Sequence, residues 1–295
     1  MRSQSEQAAA SELYSEGAAL LEHAGSAYPD IEAEVLLAHV LGCGRLEMRM
    51  HSEQKPPQEK AEEYRAIIER RMKGEPVAYI TGEQEFMSLA FTVGPGVLIP
   101  RRETEILVEK VLERFSGIPR LEGLDVGTGC GCIPLSIIIH LGGDVHFTAV
   151  DISREALRTA AGNAERHGCA RRVEFMLSDI FSSLPGTLSY DCITANLPYV
   201  TEEEFTRTAP EVRNYEPASA ITAGRDGLDL IRRFVTGAWS FLKPGGSCFL
   251  EIGYTQAAQV SGLFEADGHY GDIEVFRDYS GNERVVAAVR NRTGG

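Results

Sequence analysis

Three short runs in this 295-residue chain carry side chains and spacings suited to chemistry. The first is Asp125-Val-Gly127-Thr128-Gly129-Cys130-Gly131. Glycines so placed let a backbone approach a ligand closely and turn helix N–H groups toward it. The spacing is G-x-G-x-G, not the G-x-G-x-x-G of a dinucleotide fingerprint. The second is Asp151, 24 positions beyond Gly127 at the end of an expected strand, where a carboxylate can accept hydrogen bonds from both hydroxyls of a ribose. The third is Asn196-Leu197-Pro198-Tyr199. An amide or aromatic amine is a poor nucleophile because its nitrogen lone pair is delocalised. An Asn oxygen and a nearby backbone carbonyl can accept both of its N–H hydrogens, aim the lone pair and stabilise charge developing on nitrogen. Leu197 precedes proline and is held extended, which fixes its carbonyl direction. Tyr199 offers a flat face to a planar group.

These runs need a scaffold that brings them to one edge. Residues 1–76 read as a helical bundle, with apolar residues at three-to-four spacing in Ser11 to Ala24 and Asp30 to Leu41 and a third helix from Pro57 to Lys73. Tyr79 to Val93 reads as β-like with a break at Met87-Ser88, so residues 77–98 are expected to form a β-hairpin linker. From residue 99 to 295 strand and helix alternate. Strands are expected at Gly123–Val126, Val145–Val150, Val173–Leu177, Tyr190–Ala195 and Ser247–Ile252. Helices are expected at Glu103–Phe115, Ile133–His140, Ser153–His167 and Leu228–Leu242. Such βα alternation argues for a parallel sheet. The short connection between Ile273–Arg277 and Arg284–Arg290 makes that last pair antiparallel. An α/β fold with a mostly parallel, Rossmann-like sheet and a terminal antiparallel strand is the shape of class I methyltransferases. That shape and the glycine spacing favour S-adenosylmethionine over NAD as the nucleoside cofactor. Its sulfonium leaves as a neutral thioether, so positioning supplies most of the rate and no general base is required.

Composition narrows the partners. Lys plus Arg number 29 against 43 Asp plus Glu, and the deficit is the same in residues 1–100 (9 against 16) as in the remainder (20 against 27). No broad basic face for nucleic acid is expected, and Arg101-Arg102, Arg171-Arg172 and Arg232-Arg233 read as solvated surface. The longest mostly apolar run, Ile133 to Ile139, is far short of the ~20 residues that cross a bilayer. Met1 to Glu6 lacks the apolar stretch of a signal peptide, so a cytoplasmic protein is expected. The six cysteines form no C-x-x-C pair and read as reduced thiols. Glu202-Glu203-Glu204 reads as a solvated helix start, Trp239 as core, and no histidine sits at metal-ligand spacing.

Longer stretches carry a family resemblance. Val97-Leu-Ile-Pro-Arg-Arg-Glu-Thr-Glu105 resembles the Leu-Ile-Pro-Arg-Pro-Glu-Thr-Glu signature of the N(5)-glutamine methyltransferases of peptide-chain release factors. Asn196-Leu-Pro-Tyr199 is similar to the Asn-Pro-Pro-Tyr motif of methyltransferases that modify planar nitrogens. Ala78–Gly82, Tyr215-Glu-Pro217, Gly224–Leu228, Leu250–Gly253 with Gln256, and Asp278 with Gly281 and Arg284 complete the likeness. The resemblance implies a glutamine acceptor in the Gly-Gly-Gln loop of a release factor. It assigns Gly127, Thr128, Gly129, Cys130, Gly131, Asp151, Ile180 and Asn196 to the cofactor, and Asn196, Leu197, Pro198 and Tyr199 to the acceptor, with Ile180 beside the adenine. Leu197 and Arg102 each replace a family proline. A ribosomal-protein glutamine methyltransferase, an adenine-N6 DNA methyltransferase and a non-catalytic nucleoside-binding protein are the alternatives. The negative charge and the lack of a target-recognition domain weigh against the DNA enzyme.

Overall fold

Proline at the entry and glycine at the exit delimit several helices of the N-terminal region. The computed structural model describes residues 8–292, which leaves the Met1–Glu6 segment outside the described residues. Four helices follow in order: α1 Ala10–His23, α2 Pro29–Leu41, α3 Arg45–Met50 and α4 Gln58–Met72. Pro29 opens α2, and Gly42, at φ 67°, closes it. Leu13, Leu21, Leu36, Leu37, Tyr64 and Ile68 form a closed core at 1% exposure or less. Gly17 is required there because a Cβ would stand 2.0 Å from the Tyr64 hydroxyl. α3 has no counterpart in the sequence reading, since six residues with one buried side chain show no period.

The expected 77–98 hairpin linker is corrected in two ways. Residues Val77–Thr81 form a helix, α5, between Pro76 and Gly82 at φ 74°. Pro76 O accepts from the N–H groups of Tyr79 and Ile80, at 3.0 Å each. Ala78, Tyr79 and Ile80 are all buried, and a continuous apolar run carries no period that tells helix from strand. The hairpin itself is shorter, β1 Glu83–Phe86 and β2 Leu89–Thr92, and it belongs to the second unit of the chain. Its turn residues Met87 and Ser88 both lie at positive φ (52° and 59°), the geometry of a two-residue hairpin turn. The Glu105 carboxylate holds the Met87 N–H at 2.7 Å.

The remaining elements are α6 Glu105–Arg114, β3 Arg120–Val126, α7 Cys132–Leu141, β4 Asp144–Asp151, α8 Arg154–Arg166, β5 Val173–Leu177, β6 Tyr190–Ala195, α9 Glu202–Phe205, α10 Pro210–Tyr215, α11 Asp229–Phe241, β7 Leu242–Glu251, α12 Ala257–Asp267, β8 Tyr270–Arg277 and β9 Glu283–Arg290. The first unit spans residues 1–82 and takes in 209–215, and the second comprises 83–208 and 216–295. Within the first unit, α10 is tied by Glu211 to Arg71, which also pairs with Glu32, and by the Tyr215 hydroxyl, which donates to Lys73 O at 3.1 Å.

The second unit is built on a seven-stranded sheet of order β5-β4-β3-β6-β7-β9-β8. β5, β4, β3, β6 and β7 pair in parallel, and β9 runs antiparallel to both β7 and β8. The reversed strand is therefore last in the chain but sits inside the sheet. Gly123 of β3 lies opposite Phe147 of β4, where a Cβ would meet the ring at 2.4 Å. α11 buries Ile231, Phe234, Val235 and Ala238 on one face, a three-to-four spacing. Parallel register decides what meets at the carboxyl edge. Val126 pairs with Val150 and Ala195, and Ala195 with Leu250. The residues after these positions, Gly127, Asp151, Asn196 and Glu251, thus emerge side by side. The chain order reverses at β3, flanked by β4 and β6, and crevices that take ligands open at such switch points.

Candidate functional site

At that edge the second unit encloses a cavity of about 420 Å3. This lies within the ~300–1,000 Å3 of small-molecule sites. Its walls include Gly127, Thr128, Gly129, Cys130, Asp151, Ile180, Asn196, Leu197 and Pro198. The fold therefore brings together residues up to 71 positions apart that the sequence singles out.

The glycine loop does three separate jobs. Gly127, at φ 77°, holds a backbone conformation that L side chains rarely adopt, and a Cβ there would press on the Leu197 side chain at 3.1 Å. Gly129, at φ 57°, has nothing within 4 Å of a Cβ. Its N–H donates to Asp151 Oδ2 at 2.9 Å. Gly131, at φ 82°, is the N-cap of α7 and packs against Ala160 of α8, where a Cβ would be 3.1 Å from the Ala160 methyl. Gly131 does not line the cavity, so its requirement is helix packing. Asn163 of α8 supports the loop from below. It is fully buried, donates to Cys130 O (2.9 Å) and Thr92 O (3.0 Å), and accepts from the Thr92 N–H (2.8 Å).

Two carboxylates stand by the loop. Asp151 accepts from the N–H groups of Gly129 and Ser153, the latter at 2.8 Å, and burial raises its pKa despite those bonds. Asp125 is fully buried and takes the Thr194 hydroxyl at 2.6 Å. Burial pushes its carboxyl up to about 6 against the pull of the Thr194 and Thr128 hydroxyls. Asp125 Oδ2 and Thr128 Oγ1 are buried without a hydrogen-bond partner of ordinary geometry. Ile180 has φ 52°, an outlier for a β-branched residue. Ser178 holds that conformation by donating to Ile180 O (2.9 Å) while accepting from the Ser183 N–H (3.1 Å). Open space over Gly129, unpartnered polar atoms beneath the loop and a carboxylate at the β4 end all fit a nucleoside cofactor with a charged tail.

Asn196-Leu197-Pro198-Tyr199 is held at each residue. Asn196 Nδ2 donates to Thr104 Oγ1 at 3.1 Å, which turns Oδ1 away from that bond. Leu197 is 5% exposed and packs under Gly127. The Tyr199 carbonyl accepts from Gln256 Nε2 (3.0 Å), and Gln256 Oε1 takes the Gly253 N–H (2.9 Å). Tyr199 is not among the residues that line this cavity. Its hydroxyl donates to Glu251 Oε1 at 3.1 Å, and burial raises its pKa. Glu251 is 1% exposed. Burial pushes its carboxyl up to about 7, offset by the Thr104 hydroxyl, Arg284 and Tyr199. Arg284 is itself paired with Asp278, which caps the turn before β9 through the Ser280 and Asn282 N–H groups.

Family models described as "PrmC N-terminal domain" and "Methyltransferase domain" match residues 12–82 and 120–272. The release factor glutamine methyltransferase of Koribacter versatilis is 40% identical over 266 residues, 90% of this chain and 93% of its own. This chain belongs to the release factor glutamine methyltransferase family. The Moorella thermoacetica member is likewise 40% identical, over 89% of this chain and 92% of its own. Among solved structures, a methyltransferase from Pyrococcus furiosus shares the fold at TM-score 0.52 and 16% identity, over 77% of this chain and 98% of that one. The Thermus thermophilus 16S rRNA N2 G1207 methyltransferase does so at TM-score 0.52 and 19%, over 71% and 50%. In this family member, sequence reasoning left Thr104, Glu251, Gln256 and Asn163 without roles. The first three stand in the signature stretches quoted above, but a motif does not say which side chains touch. Asn163 had no sequence signal beyond its place on an amphipathic helix.

Outside the site, Thr201 caps the exposed α9 with Glu204 at its third position. Trp239 is partly buried, packs on the core and stacks on His269 at 3.8 Å. All six cysteines are free, no group of metal-ligand residues occurs among the described residues, and no helix there is long and apolar enough to cross a membrane.

Proposed function

We propose that this protein transfers the methyl group of S-adenosylmethionine to the side-chain amide nitrogen of the glutamine in the Gly-Gly-Gln loop of a peptide-chain release factor. The observation that carries the reading is Asn196, whose Nδ2 is committed to Thr104 on the wall of the cavity that the glycine loop and Asp151 also line. Bound S-adenosylmethionine supplies an electrophilic methyl carbon on a sulfonium. The chain's own residues do the rest. Asp151 accepts the ribose hydroxyls, Gly129 leaves room for close approach, and the strained Ile180 forms an apolar wall for the adenine. Thr128 on the cavity wall, with the buried Asp125 behind it, makes that end of the cavity suited to a cationic tail. Asn196 Oδ1 and the Leu197 carbonyl accept the two N–H hydrogens of the glutamine amide, which turns its nitrogen lone pair toward the methyl carbon. Both acceptors stabilise the positive charge that grows on nitrogen as it attacks, and the extra proton then leaves to water. Leu197 in place of proline keeps that carbonyl, and Pro198 keeps it extended. The 1–82 unit is the surface through which the folded factor is recognised.

Transfer of labelled methyl to four substrates tests this: a release factor, its loop Gln→Ala variant, the ribosomal protein modified by related glutamine methyltransferases, and duplex DNA. Label is expected on the factor alone. Label that persists on the Gln→Ala variant, or accumulates on DNA, ends the reading. Label mainly on the ribosomal protein keeps the chemistry and changes the substrate.

A further inference from the structure

The Leu197 carbonyl, which the acceptor amide must find, is backbone, and no rotamer of its own side chain aims it. Its direction follows from how the chain is pinned on either side. β6 and β7 pair in parallel up to Ala195 and Leu250, and beyond that point side chains replace the ladder between these two chains. Tyr199 donates its hydroxyl to Glu251 Oε1 at 3.1 Å. Gln256 then takes hold of the backbone itself. Its Nε2 donates to Tyr199 O at 3.0 Å, and its Oε1 accepts from the Gly253 N–H at 2.9 Å.

Gln256 is itself firmly seated. It is 6% exposed and stands at the N-cap of α12, where its own N–H donates to Gly253 O and its carbonyl accepts from the Val260 N–H, at 2.9 Å each. One planar amide thus joins the loop after β6 to the loop after β7. The loop before α11 closes on the joint from a third direction. At Gly227 a Cβ would stand 2.2 Å from Tyr199 O and 2.8 Å from Gln256 Nε2, so a side chain there would push the bonded pair apart. Gln256, Gly227 and Tyr199 are all absent from the cavity wall.

We propose that Gln256 is a positioning residue for methyl transfer, a clip that fixes the far end of Asn196-Leu197-Pro198-Tyr199 and so the direction of the Leu197 carbonyl. Pro198 locks its own φ, and few soft dihedrals are left between the Leu197 and Tyr199 carbonyls. With Asn196 Nδ2 bonded to Thr104 Oγ1 at the near end and Tyr199 O bonded to Gln256 at the far end, the run is held from both sides. Releasing the far end lets the Leu197 carbonyl swing away from the acceptor N–H, and a shift of about 1 Å at a reacting centre costs up to about 100-fold in rate. This inference rests on the proposed role of the Leu197 carbonyl in amide methylation.

Methyl transfer to a whole release factor, measured well below the melting temperature and beside cofactor binding, tests the clip. Gln256→Glu keeps the shape and an acceptor for the Gly253 N–H, but an ionised carboxylate has no proton for Tyr199 O. At pH 8 its kcat is expected to fall about tenfold or more, with cofactor affinity unchanged. A protonated carboxyl has one O–H to donate, and burial beside a carbonyl favours that form. The rate of Gln256→Glu relative to wild type should therefore recover as pH falls from 8 to 6, while Gln256→Met, with no donor at any pH, stays slow throughout. A residue that merely stabilises the fold gives no such pH-dependent rescue. Gly227→Ala reaches the same bond from the other side and should also lower kcat without weakening the cofactor. Gln256→Glu within about twofold of wild type at pH 8, a relative rate flat in pH, or a loss that follows cofactor affinity overturns the clip, and wild-type transfer to the factor keeps the function standing. A wild-type protein that transfers no methyl to the factor overturns the function and the clip with it.

Discussion

Asp151 serves two masters in this site, and its substitution separates them. Its oxygens already accept from the Gly129 and Ser153 N–H groups, so a ribose would add to a carboxylate that shapes the loop holding the cofactor. Asp151→Ala should therefore weaken S-adenosylmethionine binding by roughly 1.5–3 kcal/mol, the scale of charge-assisted hydrogen bonds, as read by calorimetry. Unchanged affinity would remove Asp151 from the site. Asp125 makes a prediction about pH. Its folded pKa is raised from the ordinary 3.8 to about 6, so between those values the folded state holds a proton that the unfolded chain has lost. Stability from this group is then present below about pH 3.8 and declines as pH rises to about 6. Asp125→Asn should abolish that decline, which urea unfolding at pH 4 and pH 7 on both proteins would measure. A wild-type-minus-variant difference that does not change with pH would mean the Asp125 carboxyl titrates as in the unfolded chain.

At the scale of elements, the hairpin and the glycine loop share a support. Asn163 joins β2 to the turn before α7 through three bonds that a buried Asn of α8 alone can make. Asn163→Ala would strand the Thr92 N–H, Thr92 O and Cys130 O. A loss on the order of 3 kcal/mol is expected from buried groups left unpaired, visible in chemical denaturation. Cofactor binding should weaken with it, because Cys130 sits in the loop. Full retention of both would show that water replaces the amide. The strand order matters in the same way. β9 enters between β7 and β8, so Arg284 near its start reaches Asp278 and the Ile252 carbonyl, and closes the edge beside Glu251.

For the whole molecule, each unit has its own core, and the first unit also takes in α10 from the chain that follows Tyr199. Arg71 is the fastening, 11% exposed between Glu32 and Glu211. Arg71→Ala leaves two carboxylates facing one another and should cost about 2 kcal/mol. Proteolysis should then cut near residues 209–215 first, and an unaltered digestion pattern would deny that role. Recognition also belongs to this scale. A short loop peptide must pay its own ordering entropy, so it should be a much poorer substrate than the folded factor. Leu46 and Met50, 73% and 74% exposed on α3, lie four residues apart on the bundle surface. Leu46→Glu with Met50→Glu should raise KM for the whole factor and leave the peptide's kcat/KM unchanged. Equal losses on both substrates would place the bundle's contribution elsewhere.

What was legible in the amino-acid sequence is what local physics controls. Glycines at 127, 129 and 131 announce a tight turn, Pro29 and Gly42 punctuate a helix, and βα alternation implies parallel strands that leave Gly127, Asp151 and Asn196 on one edge. The family resemblance of the signature runs added the acceptor chemistry. Tertiary structure alone decided the rest. Val77–Thr81 is a helix although its buried Ala78, Tyr79 and Ile80 carry no period to read, and Gly131 packs against Ala160 of α8. Tyr199 turns inward because a buried carboxylate 52 positions away takes its hydroxyl. Thr104 and Asn196 meet across 92 positions, and no spacing rule in a linear chain encodes that pairing. Hydrogen bonds of this kind depend on register, on strand order and on which oxygen is left without a partner, and those are fixed only when the sheet closes around them.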